Sequence, residues 1–127
     1  MNESLTQITI EFENGTTLNG AIDRVKAPLI TEEIVARLPI QTRAAMMRGE
    51  MRINLDIGKG NVKPTKEVNR GDIAYMPLGD SLVIYLKDAK TFSKVNVIGS
   101  IEPSNHEILD ELKDVRRGSQ VILKGPP

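Results

Sequence analysis

The chain has no cysteine and no tryptophan, and its 127 residues include one histidine, two tyrosines and two phenylalanines. Without cysteine there is no disulfide, no thiolate nucleophile and no cysteine-ligated zinc or iron–sulfur cluster. With His106 as the only histidine, no multi-histidine metal site can be built. Charge of neither sign dominates: Lys plus Arg number 17 and Asp plus Glu 17. A nucleic-acid or anionic-membrane partner calls for a concentrated basic surface, and the densest basic spot, VRRGS at 115–119, reads as a solvated turn. No apolar run approaches the roughly 20 residues that span a bilayer. The opening MNESLTQITI carries Glu3 and no apolar core, so no signal peptide is expected. GKG at 58–60 lacks the spacing of a P-loop. These absences leave a soluble, cytoplasmic protein with no cofactor and no nucleic-acid or membrane partner as the expectation.

What is present has the pattern of one mainly β domain over residues 1–127, with its core over about 7–124. Ile8, Ile10 and Phe12 alternate with Gln7, Thr9 and Glu11, and Asn14-Gly15 is a strong hairpin-turn signal. In APLITEEIVARLP the period changes to helical. Ile30, Ile34 and Leu38 share a face beside Val35, with Pro28 in the first turn and Pro39 as the stop. IQTRAAMMRGEMRINLDI divides at Arg48-Gly49 into two strands, and Met51, Ile53, Leu55 and Ile57 alternate with Arg52, Asn54 and Asp56. A polar loop is expected at 58–70, strands at 72–76 and 81–86 around PLGD, and a second polar loop at 87–94. VNVIGSI reads as an apolar strand. PSNHEILDELKDV reads as a helix with a Ser104/Glu107 capping box and Ile108, Leu112 and Val115 buried. SQVILK is a last strand and GPP a tail. About eight short strands, joined closely enough to be antiparallel, and two helices suit a closed barrel capped by helices.

EVNRGDIAYMPLGDSLVIYL (67–86), SKVNVIGSI (93–101) and the helix and strand that follow resemble the cyclophilin-like proteins. The nearest likeness is to a small prokaryotic family of such proteins, distantly related to the peptidyl-prolyl isomerases. The resemblance runs from Ile8 to Lys124. It implies a closed eight-stranded antiparallel β-barrel with two α-helices closing its ends. It also implies an isomerase-type groove in which Arg43, ahead of the Arg48-Gly49 turn, corresponds to the family's arginine and Met51 to its methionine. Elsewhere the isomerase side chains are replaced. Ile53 and Leu82 stand where the family has glutamines, and Val83-Ile84 replace two phenylalanines. KDAKTFSK holds neither the tryptophan nor the histidine, with Phe92 its one aromatic.

The expected groove therefore consists of Arg43, using its five-donor fork on a carbonyl or carboxylate, and a wall of Met51, Tyr75, Met76, Pro77 and Ile84. Arg48 and Arg52 would help attract an acidic ligand. Arg43 also reads as a plain surface arginine on the strand's outer face, Tyr75 as a core residue, and Met46 and Met47 as core fillers rather than a ligand box. His106 reads as a solvated helix residue, and Glu50, Asp56, Asp72 and Asp80 as turn and strand-end acids. Asn96, a polar residue inside an apolar strand, reads as a brace for a neighbouring loop. Gly20, Gly71, Gly79 and Gly99 read as bends and turns. The function expected first is a module binding a small molecule or short peptide, as a monomer or weak homo-oligomer. An alternative is a weak or specialised prolyl isomerase, with Arg43 polarising the prolyl amide. A third is an interaction subunit of a larger complex, reached through fold analogy.

Overall fold

The computed structural model describes residues 4–126. The chain runs through β1 (Leu5–Phe12), β2 (Thr17–Asp23), α1 (Pro28–Arg37), β3 (Ile40–Met47), β4 (Glu50–Asn54), β5 (Thr65–Val68), β6 (Asp72–Met76), β7 (Ser81–Tyr85) and β8 (Ala89–Ile101). A short helical segment follows, with the one-turn α2 (His106–Leu109) between two 3₁₀ stretches, Pro103–Asn105 and Asp110–Asp114. β9 (Ser119–Lys124) ends the fold. The strands follow the order β2-β1-β9-β3-β4-β7-β6-β8-β5, every pairing is antiparallel, and β2 also pairs with β8. This last pairing closes an eight-stranded barrel and leaves β5 outside it.

The β1–β2 hairpin follows from its alternation and turn. Gly15 has φ +96°, and the Thr16 amide donates to Asn14 Oδ1 at 3.0 Å. Ile8, Ile10 and Phe12 point inward, and Ile10 lies opposite Leu18. In α1, Pro28 occupies the first turn, where a missing amide costs nothing. Ile30, Thr31 and Ile34 are buried, with Thr31 Oγ1 donating to Ala27 O at 3.0 Å. Leu38 turns extended ahead of Pro39, as a residue before proline must, and ends the helix.

Two stretches expected as loops contain strand. The 58–70 segment holds β5, and most of 87–94 belongs to β8, which pairs with β5 through Glu67–Lys90 and Val68–Ala89. Neither stretch has an alternating apolar pattern, because one side of this ribbon faces water and its partner is supplied only by the fold. The second helix also departs from expectation. No side chain caps any of its three pieces, so the Ser104/Glu107 box does not form. Its buried residues are Leu109, Leu112 and Val115, with Ile108 only half-buried. A spacing of three suits a 3₁₀ turn, in which residues i and i+3 eclipse. The segment is instead tied from outside: Arg70 donates to His106 O at 2.7 Å, Leu86 O at 2.7 Å and Asp110 at 3.0 Å.

The main core fills the barrel, with Ile30 and Ile34 from α1 and Leu109 and Leu112 from the second helical segment packed into it. A smaller cluster of Val68, Ala74, Met76, Val83, Tyr85 and Val95 lies on the outer side of the β6–β7 wall, where β5 and β8 contribute. Every residue of β7 is buried, which is why SLVIY reads as continuously apolar rather than alternating.

At the closing seam, Gly20 lies opposite Ile101 and Gly99 opposite Ile22. A Cβ on Gly99 would collide with the Ala21 carbonyl oxygen and sit 2.8 Å from Ile22 Cα. Gly99→Ala is expected to destabilise the chain by about 3 kcal/mol or more in urea unfolding. Gly60→Ala, where nothing lies within 4 Å, should change stability by no more than about 0.5 kcal/mol. Equal effects at the two positions would show that the seam tolerates a side chain.

Candidate functional site

The two-residue turn at Arg48-Gly49 decides which side chains share a face. It pairs Met47 with Glu50, Ala45 with Arg52 and Ala44 with Ile53. Across β4, β7 and β6 the inward rows are Met51–Ile84–Ile73 and Ile53–Leu82–Tyr75. The outward rows are Arg52–Val83–Ala74, Asn54–Ser81–Met76 and Glu50–Tyr85. Arg43, two residues from Ala45 along β3, is on the outer face and exposed.

The wall expected around Arg43 is thus divided between the two sides of the sheet. Met51, Tyr75 and Ile84 are fully buried inside the barrel. Arg43 and Met76 do come together, in an outer groove of about 410 Å³ that also takes in Ala45, Met47, Arg52, Ser81 and Arg117. Pro77 is half-buried in the turn after β6, and Arg48 sits exposed in the hairpin turn with φ +51°. Arg43 spends one donor on Gly118 O at 2.8 Å. Arg52 gives Nε and Nη2 to one Glu50 oxygen, at 3.0 and 2.9 Å. Arg117, at the end of the loop before β9, belongs to the VRRGS run that reads in sequence as a solvated turn; nothing in a basic turn announces which groove it will border. The floor is small (Ala45, Gly79, Ser81), so the cationic rim stands above a shallow, partly apolar trough.

Tyr75 serves the wall from within. Its hydroxyl donates to Asp80 Oδ1 at 2.6 Å and accepts from the Lys59 amide at 3.1 Å. Asp80, at φ +49°, takes the Ile57 amide at 3.0 Å on Oδ1 and the Gly58 amide at 2.8 Å on Oδ2. One carboxylate and one phenol therefore hold the 57–59 loop against the β6–β7 turn. Burial pushes the Asp80 carboxyl up, but the Tyr75 hydroxyl and the two amides outweigh it, so it titrates below its ordinary range. Burial, then the Asp80 hydrogen bond, pushes Tyr75 up to about 12.

Asn96 braces the next part of that loop: Oδ1 accepts the Val62 amide at 2.7 Å and Nδ2 donates to Asn61 Oδ1 at 3.0 Å. His106 differs from a solvated histidine. It is half-buried, its Nε2 is 3.2 Å from Ile101 O, and it lies where a Cβ on Gly71 would fall 2.6 Å from that nitrogen. Asp72 accepts the Asn69 amide at 2.8 Å, Glu50 is held by Arg52, and Asp56 takes positive φ in the loop after β4. These acids do not gather, and among the described residues no three potential ligands are placed to hold a metal ion. Among the described residues no helix is long and apolar enough to cross a membrane.

A closed eight-stranded antiparallel barrel with one outer strand and capping helical segments defines a class of small β-barrel domain. The model of the family described as "Cyclophilin-like" matches residues 6–124, and the chain belongs to that family. Solved structures that share the fold include these two. One is McbB in complex with tryptophan, at TM-score 0.81 and 14% identity. The alignment covers 93% of this chain and 44% of McbB, so the chain spans less than half of that protein's length. The other is the hypothetical protein AF2241 from Archaeoglobus fulgidus, at TM-score 0.77 and 23% identity, covering 99% of this chain and all of that one. No curated protein matches the sequence.

Two outcomes test the Tyr75–Asp80 latch. A carboxyl held low stabilises the fold above its ordinary value of 3.8, and that contribution is lost as pH falls from there through the lower folded value. Asp80→Asn should therefore cost about 1–3 kcal/mol at pH 7, with the gap to the parent closing in acid denaturation scans below that point. Because Tyr75 is pushed up to about 12 and burial raises Tyr85 as well, phenolate absorbance should stay low in the folded chain at pH 10. In urea both tyrosines should titrate at about 10. Normal titration of both in the folded chain would contradict the burial described.

Proposed function

We propose that the chain is a binding module whose outer groove takes a small carboxylate, either a free molecule or the end of a short peptide. The observation that carries this is the meeting of Arg43, Arg52 and Arg117 with Met47 and Met76 around one trough. Arg43 uses one of its five N–H donors inside the protein, which leaves its fork able to take a carboxylate in two parallel bonds. Arg52 is paired with Glu50 and adds little net charge, so the grip on a ligand falls to Arg43 and Arg117. The two methionines supply adaptable apolar contact for the rest of the molecule. Tryptophan, the molecule complexed with McbB, belongs to this chemical class: a carboxylate on an apolar body.

Prolyl isomerisation asks for more than an arginine. It needs a desolvated apolar pocket that holds the proline ring while donors favour the twisted amide over the planar one. Met51, Tyr75 and Ile84 point into the barrel, and the trough beside Arg43 has alanine, serine and glycine for its floor. That favours binding over turnover.

A titration of acetyl-Ala-Pro, with a free and with an amidated C-terminus, separates the readings by nuclear magnetic resonance. The free carboxylate should shift the amide signals of Arg43, Ala45 and Ser81 saturably, and Arg43→Ala should weaken it about tenfold or more. The amidated peptide should bind more weakly, and cis–trans exchange of the proline should not accelerate. Accelerated exchange abolished by Arg43→Ala would replace this reading with an isomerase.

A further inference from the structure

A second hollow, of about 510 Å³, adjoins the Arg43 groove on the outer wall and shares Met47 and Arg52 with it. One side is the Arg48-Gly49 turn; the other is formed by Lys87, Ala89, Lys90 and Phe92. The two sides are fastened together. The Leu86 amide donates to Gly49 O at 3.0 Å, and the Lys87 stem passes so near Gly49 that a Cβ there would lie 3.1 Å from Lys87 Cε. Pairing with β5 holds Ala89 and Lys90 in place. Tyr85, which lines the hollow, is 1% exposed, and its hydroxyl has no hydrogen-bond partner among the described residues.

That hydroxyl is the unusual feature. Buried polar atoms are nearly always paired, and this one belongs to a residue that lines a hollow carrying four cationic side chains. Burial, and then the Glu50 charge, hold it protonated well above the ordinary tyrosine range, so it offers an O–H donor at neutral pH. The hollow is lined by Arg48, Arg52, Lys87 and Lys90 with a single carboxylate, Glu50, already bound to Arg52, and the charge of Asp72 also reaches the hydroxyl. In a chain with no net charge this is a local excess of positive charge. Phe92, 95% exposed at the rim, offers an uncovered aromatic face.

We propose that this hollow binds a small organic anion with an aromatic or aliphatic body. The acid group lies among Arg48, Lys87 and Lys90, an acceptor atom takes the Tyr85 hydroxyl, and the body packs on Met47 and Phe92. This site stands on residues other than Arg43, so it does not depend on the carboxylate groove beside it.

Titration of the labelled full chain with benzoate and phenyl phosphate tests it, with benzylamine and benzyl alcohol as controls. At least one anion should shift the amide signals of Gly49, Lys87 and Lys90 saturably, and the controls should not. The tighter of the two anions tells a carboxylate from a phosphate site. Tyr85→Phe should weaken binding at least fivefold while its Tm holds or rises, because the free protein loses a buried donor with no hydrogen-bond partner among the described residues. Lys87→Gln should weaken binding as well, and Arg43→Ala should leave these shifts in place. The proposal is overturned if neither anion shifts those signals, if Tyr85→Phe binds as tightly as the parent, or if Tyr85→Phe melts lower.

Discussion

Closure of the barrel rests on a short backbone approach, three residue pairs between β2 and β8. Strands that pair here are far apart in sequence, and the contact is possible because Gly20 and Gly99 have no side chain to hold the backbones apart. Without it the sheet would be an open ribbon with β2 as a bare edge, and an unpaired edge is open to pairing with other chains. The cost is that β5, which joins only to β8, is left as a short outer strand. Its exposed Lys66 and Glu67 are the kind of charged residues that discourage further pairing.

The same closure explains why both sides of one wall are buried. Inside, Ile73, Tyr75, Leu82 and Ile84 meet the residues of the opposite strands. Outside, Ala74, Met76, Val83 and Tyr85 are covered with the help of Val68 and Val95. The outer cover is incomplete toward β3 and β4, and there the polar outward rows of β4 come to the surface beside apolar ones. Arginine stems can lie on such a surface with their heads in water. A cationic, partly apolar face is the result, flanked by the Arg43 trough and the Tyr85 hollow. The inner face gives rigidity to this arrangement. Tyr75 and Asp80 pin the 57–59 loop from one side, and Asn96 pins 61–62 from the other. Polar groups inside the wall thus hold backbone, while outside it Arg43 keeps donors for solvent or ligand beyond the one it gives to Gly118 O.

Much of this was legible in the residues. The Asn14-Gly15 hairpin, the helix opened by Pro28 and closed before Pro39, and the strands on either side of PLGD all depend on local turn chemistry and on side-chain period. The bracing role of Asn96 was legible too, since a buried amide in an apolar strand must bond to something. The face of Arg43 was partly so. A two-residue turn at Arg48-Gly49 pairs odd positions of one strand with even positions of the next, which puts Arg43 and Met51 on opposite sides of the sheet. The β5–β8 ribbon was not legible, because TKEV and AKTFSK carry no apolar alternation and become strand only by pairing with each other. The second helix was misleading for a related reason: its apolar residues suit either a 3.6 or a 3.0 period, and the Arg70 clamp and barrel end select the tighter one.

By itself, then, the sequence determined what local chemistry determines: where the chain turns, which strands alternate, that the domain is mainly β, and that cysteine and multi-histidine chemistry are closed to it. Tertiary structure alone decided which distant strands close the barrel, and that Arg43, Arg117 and Met76 border one trough. It alone left the Tyr85 hydroxyl buried without a hydrogen-bond partner among the described residues. The physical reason is that burial and pairing are properties of two or more segments at once, and the free energy that selects them appears only when the segments meet.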